Sequence, residues 1–292
     1  MSEIGLHMLV YTPEWNESSA KRFMERAAAH GYDFVEVLIF EPSETDALMT
    51  ARLAEEFGLG VVAAICGTLD ADISSSDPEV ARRGEARIAS AIPLARDMGA
   101  TMIGGPTYSA INRYLQPSSP DAVGRAVEAF SRIADSAQAA GVRVGLEAVN
   151  RYESNFINTI GQAADVCRQV GSDALFVHGD VFHMNIEEPD ISVALPAVRD
   201  VLGYLHVTES NRGIIGTGNF KWQQMFETLA AMDYQGPITF ESFSPSVVGP
   251  ELSSMLALWE EPWTDPEPIA ADSLSFIKQG LAAARAKRGL DA

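Results

Sequence analysis

The chain has 292 residues, of which 47% are hydrophobic and 21% charged, a balance that suits a folded globular protein and excludes a disordered one. Forty Asp and Glu against 21 Lys and Arg leave a net charge of −19 with no offsetting basic run, so a phosphate backbone or an anionic membrane surface is excluded as a partner. Two cysteines, Cys66 and Cys167, are too few for a disulfide framework or a thiolate cluster. With no secretory leader and no apolar run of about 20 residues, the expected location is the cytoplasm.

In chain order, short apolar runs alternate with amphipathic stretches. The runs Leu6–Tyr11, Phe34–Phe40, Gly60–Ile65, Thr101–Gly105, Val142–Val149, Leu175–Asp180, Leu202–Val207 and Pro237–Phe243 predict eight buried strands. Helices are predicted over Ser18–His30, stopped by Gly31, and over Thr45–Phe57, opened by Ser43-Glu44 and stopped by Gly58. Asp77-Pro78-Glu79 opens a long helix to Met98-Gly99, and Ser119-Pro120-Asp121 repeats the device before Ala122–Ala140. Shorter helices are predicted over Ile160–Val170, Ile191–Val201 and Phe220–Met232, with a last one over Ala270–Arg288. Eight strand–helix repeats with crossover connections favour a closed α/β barrel, (β/α)8, over an open sheet. The expected organisation is one domain, residues 1–292, with the barrel over about 4–245 and a C-terminal helical extension over about 246–292.

Residues at the C-terminal ends of barrel strands share one mouth, where active sites gather. Strands five to eight end in Glu147, Asp180, His206 and Glu241, each about one strand-plus-helix unit after the last. Alternation puts Glu147 with Gly145 and Arg143, Glu241 with Thr239, and Glu36 opposite Val35 and Val37, so these polar faces look inward. Three acids in one mouth raise one another's pKa unless a cation holds them, and an oxygen-rich set with one imidazole suits Mn²⁺, Mg²⁺ or Co²⁺. His183 falls on a mouth loop where substrate contact is expected. Arg212 follows strand seven, with a surface salt bridge as the alternative, and His178 reads equally as core or functional. His7 and His30 read as structural or solvated, and Gly216-Thr217-Gly218 as a flexible loop.

The runs Glu147-Ala148-Val149-Asn150-Arg151-Tyr152-Glu153, Asp180…His183-Met184-Asn185-Ile186-Glu187-Glu188, His206…Glu209-Ser210-Asn211-Arg212-Gly213 and Phe240-Glu241-Ser242-Phe243 resemble ketose 3-epimerases of the D-tagatose/D-allulose type, in the xylose isomerase-like barrel superfamily. The resemblance covers nearly the whole chain. It implies that Glu147, Asp180, His206 and Glu241 bind one divalent ion, Mn²⁺ first, with Co²⁺ or Mg²⁺ as alternatives, and that no nucleotide cofactor is used. It further implies that Glu147 and Glu241 are the two acid/base groups and that Glu153, His183 and Arg212 hold the sugar oxygens near C1 and C2. Trp15 would wall the pocket, and Tyr108 and Cys66 would stand at the far end of the sugar. Family members form homodimers or homotetramers, and the partner is a free ketose. C3 epimerisation through an enediolate needs a proton removed beside the C2 carbonyl and one returned on the opposite face, hence two acid/base groups. The alternatives are another enolate-forming sugar isomerase, a keto-sugar dehydratase or a 3-oxo-sugar lyase, and beyond these a non-catalytic sugar-binding barrel. A metal-dependent DNA-repair nuclease of similar shape conflicts with the acidic charge.

Overall fold

Eight short parallel strands pair in sequence order, and the first closes on the last. In a computed structural model describing residues 2–290 they are β1 (Ile4–His7), β2 (Phe34–Leu38), β3 (Gly60–Ala64), β4 (Met102–Gly104), β5 (Arg143–Glu147), β6 (Leu175–Asp180), β7 (Leu202–Val207) and β8 (Ile238–Phe240). The helices are α1 (Glu17–His30), α2 (Ala47–Phe57), α3 (Pro78–Asp97), α4 (Ala122–Ala140), α5 (Ile160–Val170), α6 (Val181–Glu187), α7 (Ile191–Ala197), α8 (Trp222–Met232), α9 (Pro245–Met255) and α10 (Pro266–Lys287). The expected (β/α)8 barrel is therefore the fold.

Local chemistry sets the ends. Gly31 and Gly141 stop α1 and α4 in the left-handed conformation, with φ of 89° and 70°. Asp77 caps α3 by accepting from the amides of Glu79 and Val80, with Pro78 behind it. The same device before α4 does not form. Asp121 makes no side-chain cap, and its carboxylate instead meets Arg125 Nη1 at 2.5 Å. The first strand, predicted to reach Tyr11, stops at His7, because His7 Nδ1 accepts from the Leu9 amide and turns Met8–Val10 into a 3-10 helix. Pro42–Glu44 is likewise a 3-10 turn, so α2 starts at Ala47 under an Asp46 cap. Two helices were not predicted. α6 follows β6 directly, with Asp180 as its N-cap, and α9 is broken at Gly249 (φ 80°) beside Pro250, which hides its period. The C-terminal helix α10 packs against α8 and α1 and completes the outer ring. Asp291 and Ala292, the last residues of the expected extension, lie outside the described residues.

The barrel has two apolar layers. Outward-facing side chains such as Val35, Val37, Val144, Leu146 and Phe240 pack under the helices in the main core. Inside the barrel, Phe34, Val62, Phe176 and Tyr204 are buried, with Met102 half-buried against them, and they form a separate floor. An eight-stranded barrel is just wide enough for side chains to fill. Phe176 fits only because its neighbour is glycine, since a Cβ on Gly145 would lie 2.6 Å from the ring. Above this aromatic floor the lumen turns polar.

Candidate active site and metal centre

Glu147 and Asp180 end β5 and β6, His206 is next to last in β7, and Glu241 follows β8 directly. All four are buried and face one another. His206 Nδ1 lies 2.6 Å from Glu241 Oε2 and 4.0 Å from Glu147 Oε1. Ligand-type atoms of Asp180, His206 and Glu241 all fall within 4.8 Å of one another, as do those of Glu147, His178 and His206 and those of Glu147, Asp180 and His183. The four strand-end residues are spread over these three overlapping groups, none of which, among the described residues, holds all four.

Burial makes these charges interact strongly. It pushes the Glu147 carboxyl well above the usual range, with Asp180, Glu241 and Glu36 adding to the rise and His206 opposing it. It lifts Asp180 to about 7 against the pull of Arg212. Burial would raise Glu241 too, but Arg212 and His206 outweigh it and hold that carboxyl well below normal. Burial alone would lower His206, yet Glu36 and Glu241 raise it well above an ordinary histidine. Four buried acids therefore share two cationic partners, an imbalance that a divalent ion relieves. The residues fit such an ion on a second count. His206 Nδ1 is buried and, although close to Glu241, is not aligned with any hydrogen-bond partner among the described residues.

The residues expected to hold substrate surround this centre. Asn150 donates from its backbone N–H (3.2 Å) and its Nδ2 (2.8 Å) to His183 Nδ1, leaving the His183 hydrogen on Nε2, 3.4 Å from Asp180 Oδ2. Asn150 Nδ2 also donates to Glu153 Oε1 at 2.8 Å, while Glu153 Oε2 is buried without a partner. Arg212 is not at the surface, being 8% exposed. Its guanidinium pairs with Glu241, lies 3.5 Å from Asp180 Oδ2, and stacks on Phe182 (3.9 Å) and Phe243 (4.9 Å). Arg212 itself has φ of 60°, unusual for a side-chain-bearing residue. That conformation is held by Ser242 Oγ, which donates to the Arg212 carbonyl at 2.7 Å and accepts from Trp263 Nε1 at 2.8 Å. Glu209 fastens the rest of the loop, accepting at 2.8 Å from the Gly216 amide and from Trp222 Nε1. The start of the Gly216–Gly218 segment, expected to be a flexible loop, is thereby tied to Glu209.

Above the ionic centre opens a cavity of about 860 Å³. Its wall includes Glu153, His183, Arg212 and Cys66, with apolar Leu38, Phe40, Leu252 and Met255 toward the outside. Two expected wall residues stand elsewhere. Trp15 turns away, donating from Nε1 to Thr50 Oγ1 at 2.8 Å and packing on Phe23. Tyr108 is fully buried beneath the wall, its hydroxyl directed at the carbonyls of Glu147 (2.7 Å) and Ile157 (2.8 Å). Two residues that strand-end reasoning did not select do line the cavity, His7 and Glu36. His7 Nδ1 accepts from the Leu9 amide at 3.1 Å, so its hydrogen sits on Nε2, which has no partner among the described residues. The signal was available: His7 shares inward parity with Gly5, and Glu36 with Phe34. His178, read equally as core or functional, is wholly buried, and its Nδ1 accepts from the Gly105 amide at 3.2 Å.

Known proteins show the same arrangement of chain. The profile of the family described as xylose isomerase-like TIM barrel matches residues 24–280. An L-ribulose 3-epimerase of Mesorhizobium japonicum is 37% identical, over 99% of this chain and 98% of its own. A solved L-ribulose 3-epimerase structure superposes with a TM-score of 0.95 at 36% identity, covering 99% of this chain and 97% of that one. The crystal structure of a D-allulose 3-epimerase from a Methylomonas species in complex with D-allulose gives 0.92 at 36% identity, over 95% and 96% of the two chains.

Proposed function

The chain belongs to the xylose isomerase-like TIM barrel family, and from that premise we propose that it is an isomerase that epimerises a free ketose at C3. The observation that carries this reading is the convergence of Glu147 and Glu241, from β5 and β8, on the same His206 nitrogen at 4.0 and 2.6 Å. Inverting a carbon beside a carbonyl takes one group to remove the proton and a second to return it from the other face. The L-ribulose 3-epimerase and the D-allulose 3-epimerase, 37% and 36% identical over nearly the whole chain, carry the names of different sugars but the same reacting position, which supports C3 and leaves the sugar open.

One divalent ion, Mn²⁺ in preference to Co²⁺ or Mg²⁺, is held in this reading by Glu147, Asp180, His206 and Glu241. When bound, it supplies Lewis-acid polarisation of the carbonyl and neutralises charge developing on the C2 oxygen. The side chains do the rest. Glu153, His183 and Arg212 orient the sugar oxygens at the C1–C2 end. Glu147 and Glu241 exchange protons with C3 on opposite faces, and the apolar outer wall excludes water from the enediolate. Cys66 stands where the far end of the sugar would lie.

A homodimer or homotetramer belongs to the same proposal, supported by large apolar side chains left in solvent, among them Leu115 at 83% and Trp259 at 75% exposure; sedimentation velocity tests it. So does a cytoplasmic location, supported by two free cysteines and by the finding that no helix among the described residues is long and apolar enough to cross a membrane.

The activity is tested by incubating the protein with Mn²⁺ and a panel of free ketoses in D₂O. Deuterium at C3 with appearance of the epimer is expected. Deuterium at C1 with an aldose product, or loss of water, would replace C3 epimerisation with isomerase or dehydratase chemistry.

A further inference from the structure

Glu36 projects from the middle of β2 across the lumen to β7 and is completely buried. Among the described residues no Lys or Arg forms an ion pair with it. Its Oε2 takes two contacts of 2.6 Å, one from the Tyr204 hydroxyl and one from His206 Nε2, and its Oε1 has no partner. Thr239 Oγ1 in turn sits against the Tyr204 hydroxyl.

The chemistry of the groups fixes the direction of every hydrogen bond in this chain. A carboxylate only accepts, so Tyr204 and His206 Nε2 both donate to Glu36. The Tyr204 oxygen is then left to accept from Thr239. With its hydrogen on Nε2, the ring turns Nδ1 toward Glu241 and Glu147, the one buried ring nitrogen of His206 without an aligned partner. The ring plane is set independently by edge-to-face packing on His178 (4.2 Å between centroids) and Tyr204 (5.2 Å). Packing thus determines the plane, and what remains to be set is the tautomer and the rotation within that plane.

We propose that Glu36, backed by Tyr204 and Thr239, is a positioning residue of the metal centre: it holds His206 as the Nε2–H tautomer and aims Nδ1 at the cation. This rests on the reading of Glu147, Asp180, His206 and Glu241 as ligands. A carboxylate behind a ligating histidine raises its basicity and fixes its orientation, and loss of such a partner typically weakens metal binding 10–100-fold. The role also explains why a buried acid with an unpartnered oxygen stands where a leucine would fill the lumen.

The test is a titration of chelator-treated protein with Mn²⁺, following free Mn²⁺ by electron paramagnetic resonance, for wild type, Glu36→Leu, Glu36→Gln and Tyr204→Phe. Glu36→Leu should weaken binding about 10–100-fold. Glu36→Gln, whose amide oxygen still accepts from His206 Nε2, should recover most of that loss, and Tyr204→Phe should fall between. In Mg²⁺-loaded protein, ¹⁵N shifts of His206 should report the Nε2–H form in wild type. A Glu36→Leu protein with Mn²⁺ affinity within twofold of wild type, even with a lower melting temperature, would overturn the assignment, as would a wild-type His206 protonated on Nδ1. A wild type that binds no Mn²⁺ would overturn the metal centre and this assignment with it. Should Glu36→Leu fail to fold, the near-isosteric Gln and Phe variants carry the same comparison.

Discussion

Arg212→Ala tests the electrostatic account of the site most directly. Arg212 is the permanent cation beside Glu241 and Asp180, which are both buried, and its planar head lies between Phe182 and Phe243. Removing one partner of a buried ion pair strands the other and costs about 3–5 kcal/mol. For a chain of this size each kcal/mol moves the melting temperature roughly 2–4 °C, so the metal-free variant should melt roughly 6–20 °C below metal-free wild type. The cation deficit it leaves is one that a divalent ion fills, so saturating Mn²⁺ should raise the melting temperature more in the variant than in wild type. Catalysis should fall in parallel. A hydrogen bond to a charged group contributes about 1.5–3 kcal/mol, which is about ten- to 150-fold in kcat/KM at 1.36 kcal/mol per decade. Differential scanning calorimetry of both proteins, with EDTA and with saturating Mn²⁺, supplies the four melting temperatures needed. A metal-free variant within 2 °C of wild type, or an Mn²⁺-induced rise no larger than the wild-type one, would refute the reasoning.

Glu147→Gln and Glu241→Gln should each slow C3 proton exchange in D₂O by at least about 10²–10⁴-fold with the far-ultraviolet circular dichroism intact, and exchange within tenfold of wild type would remove the acid/base roles. His7→Phe keeps a ring on the cavity wall but removes the unpartnered Nε2–H. A KM for ketose raised up to about tenfold is expected, and an unchanged KM across a panel of sugars would return His7 to a packing role. Tyr108→Phe removes the hydroxyl donor from the buried Glu147 and Ile157 carbonyls, the second of which keeps the Val149 amide, and should cost about 1–3 kcal/mol in urea unfolding while leaving the ranking of ketoses unchanged; an altered ranking would put Tyr108 back on the substrate wall. Asp77→Ala should cost about 1 kcal/mol through the lost cap, whereas Asp121→Ala, whose exposed carboxylate pairs with Arg125 and Ser119 but caps no helix, should cost less than half of that by the same assay.

The barrel was legible because its signals are local. Glycine stops, an Asp-Pro cap and apolar runs of strand length each declare themselves within a few residues, and eight of them in alternation leave few topologies. The strand-end cluster was legible for a related reason: in a parallel barrel every strand's C-terminal end opens on the same mouth, so Glu147, Asp180, His206 and Glu241 could be grouped without knowing any distance. What escaped was whatever depended on a side chain's direction. Trp15 and Tyr108 lie near the site in the chain, yet Thr50 and two backbone carbonyls decide where their polar atoms point. From sequence His7 reads as structural or solvated, because nothing local announces that β1 ends there in a 3-10 turn that His7 itself caps. Glu36 shows the limit most sharply. Its inward parity could be counted along β2, but its meaning lies in His206, 170 positions away on the far wall.

That separation also explains how one fold keeps so much buried charge. The apolar contacts that hold the sheet together sit outside it, between strands and helices, and the aromatic floor of Phe34, Val62, Phe176 and Tyr204 closes the lumen from below. The inward face of each strand above that floor is therefore released from packing duty, and four acids and three imidazoles can occupy it without opening a hole in the main core. Tyr204 joins the two regimes. Its ring belongs to the floor, tilted against His178 at 4.6 Å, while its hydroxyl donates to Glu36 at 2.6 Å. A change in the floor that shifts this ring would reach His206 through Glu36 and alter metal binding without touching a ligand, whereas an equal change in the outer core, for instance at Val144 or Leu146, would show itself in stability first.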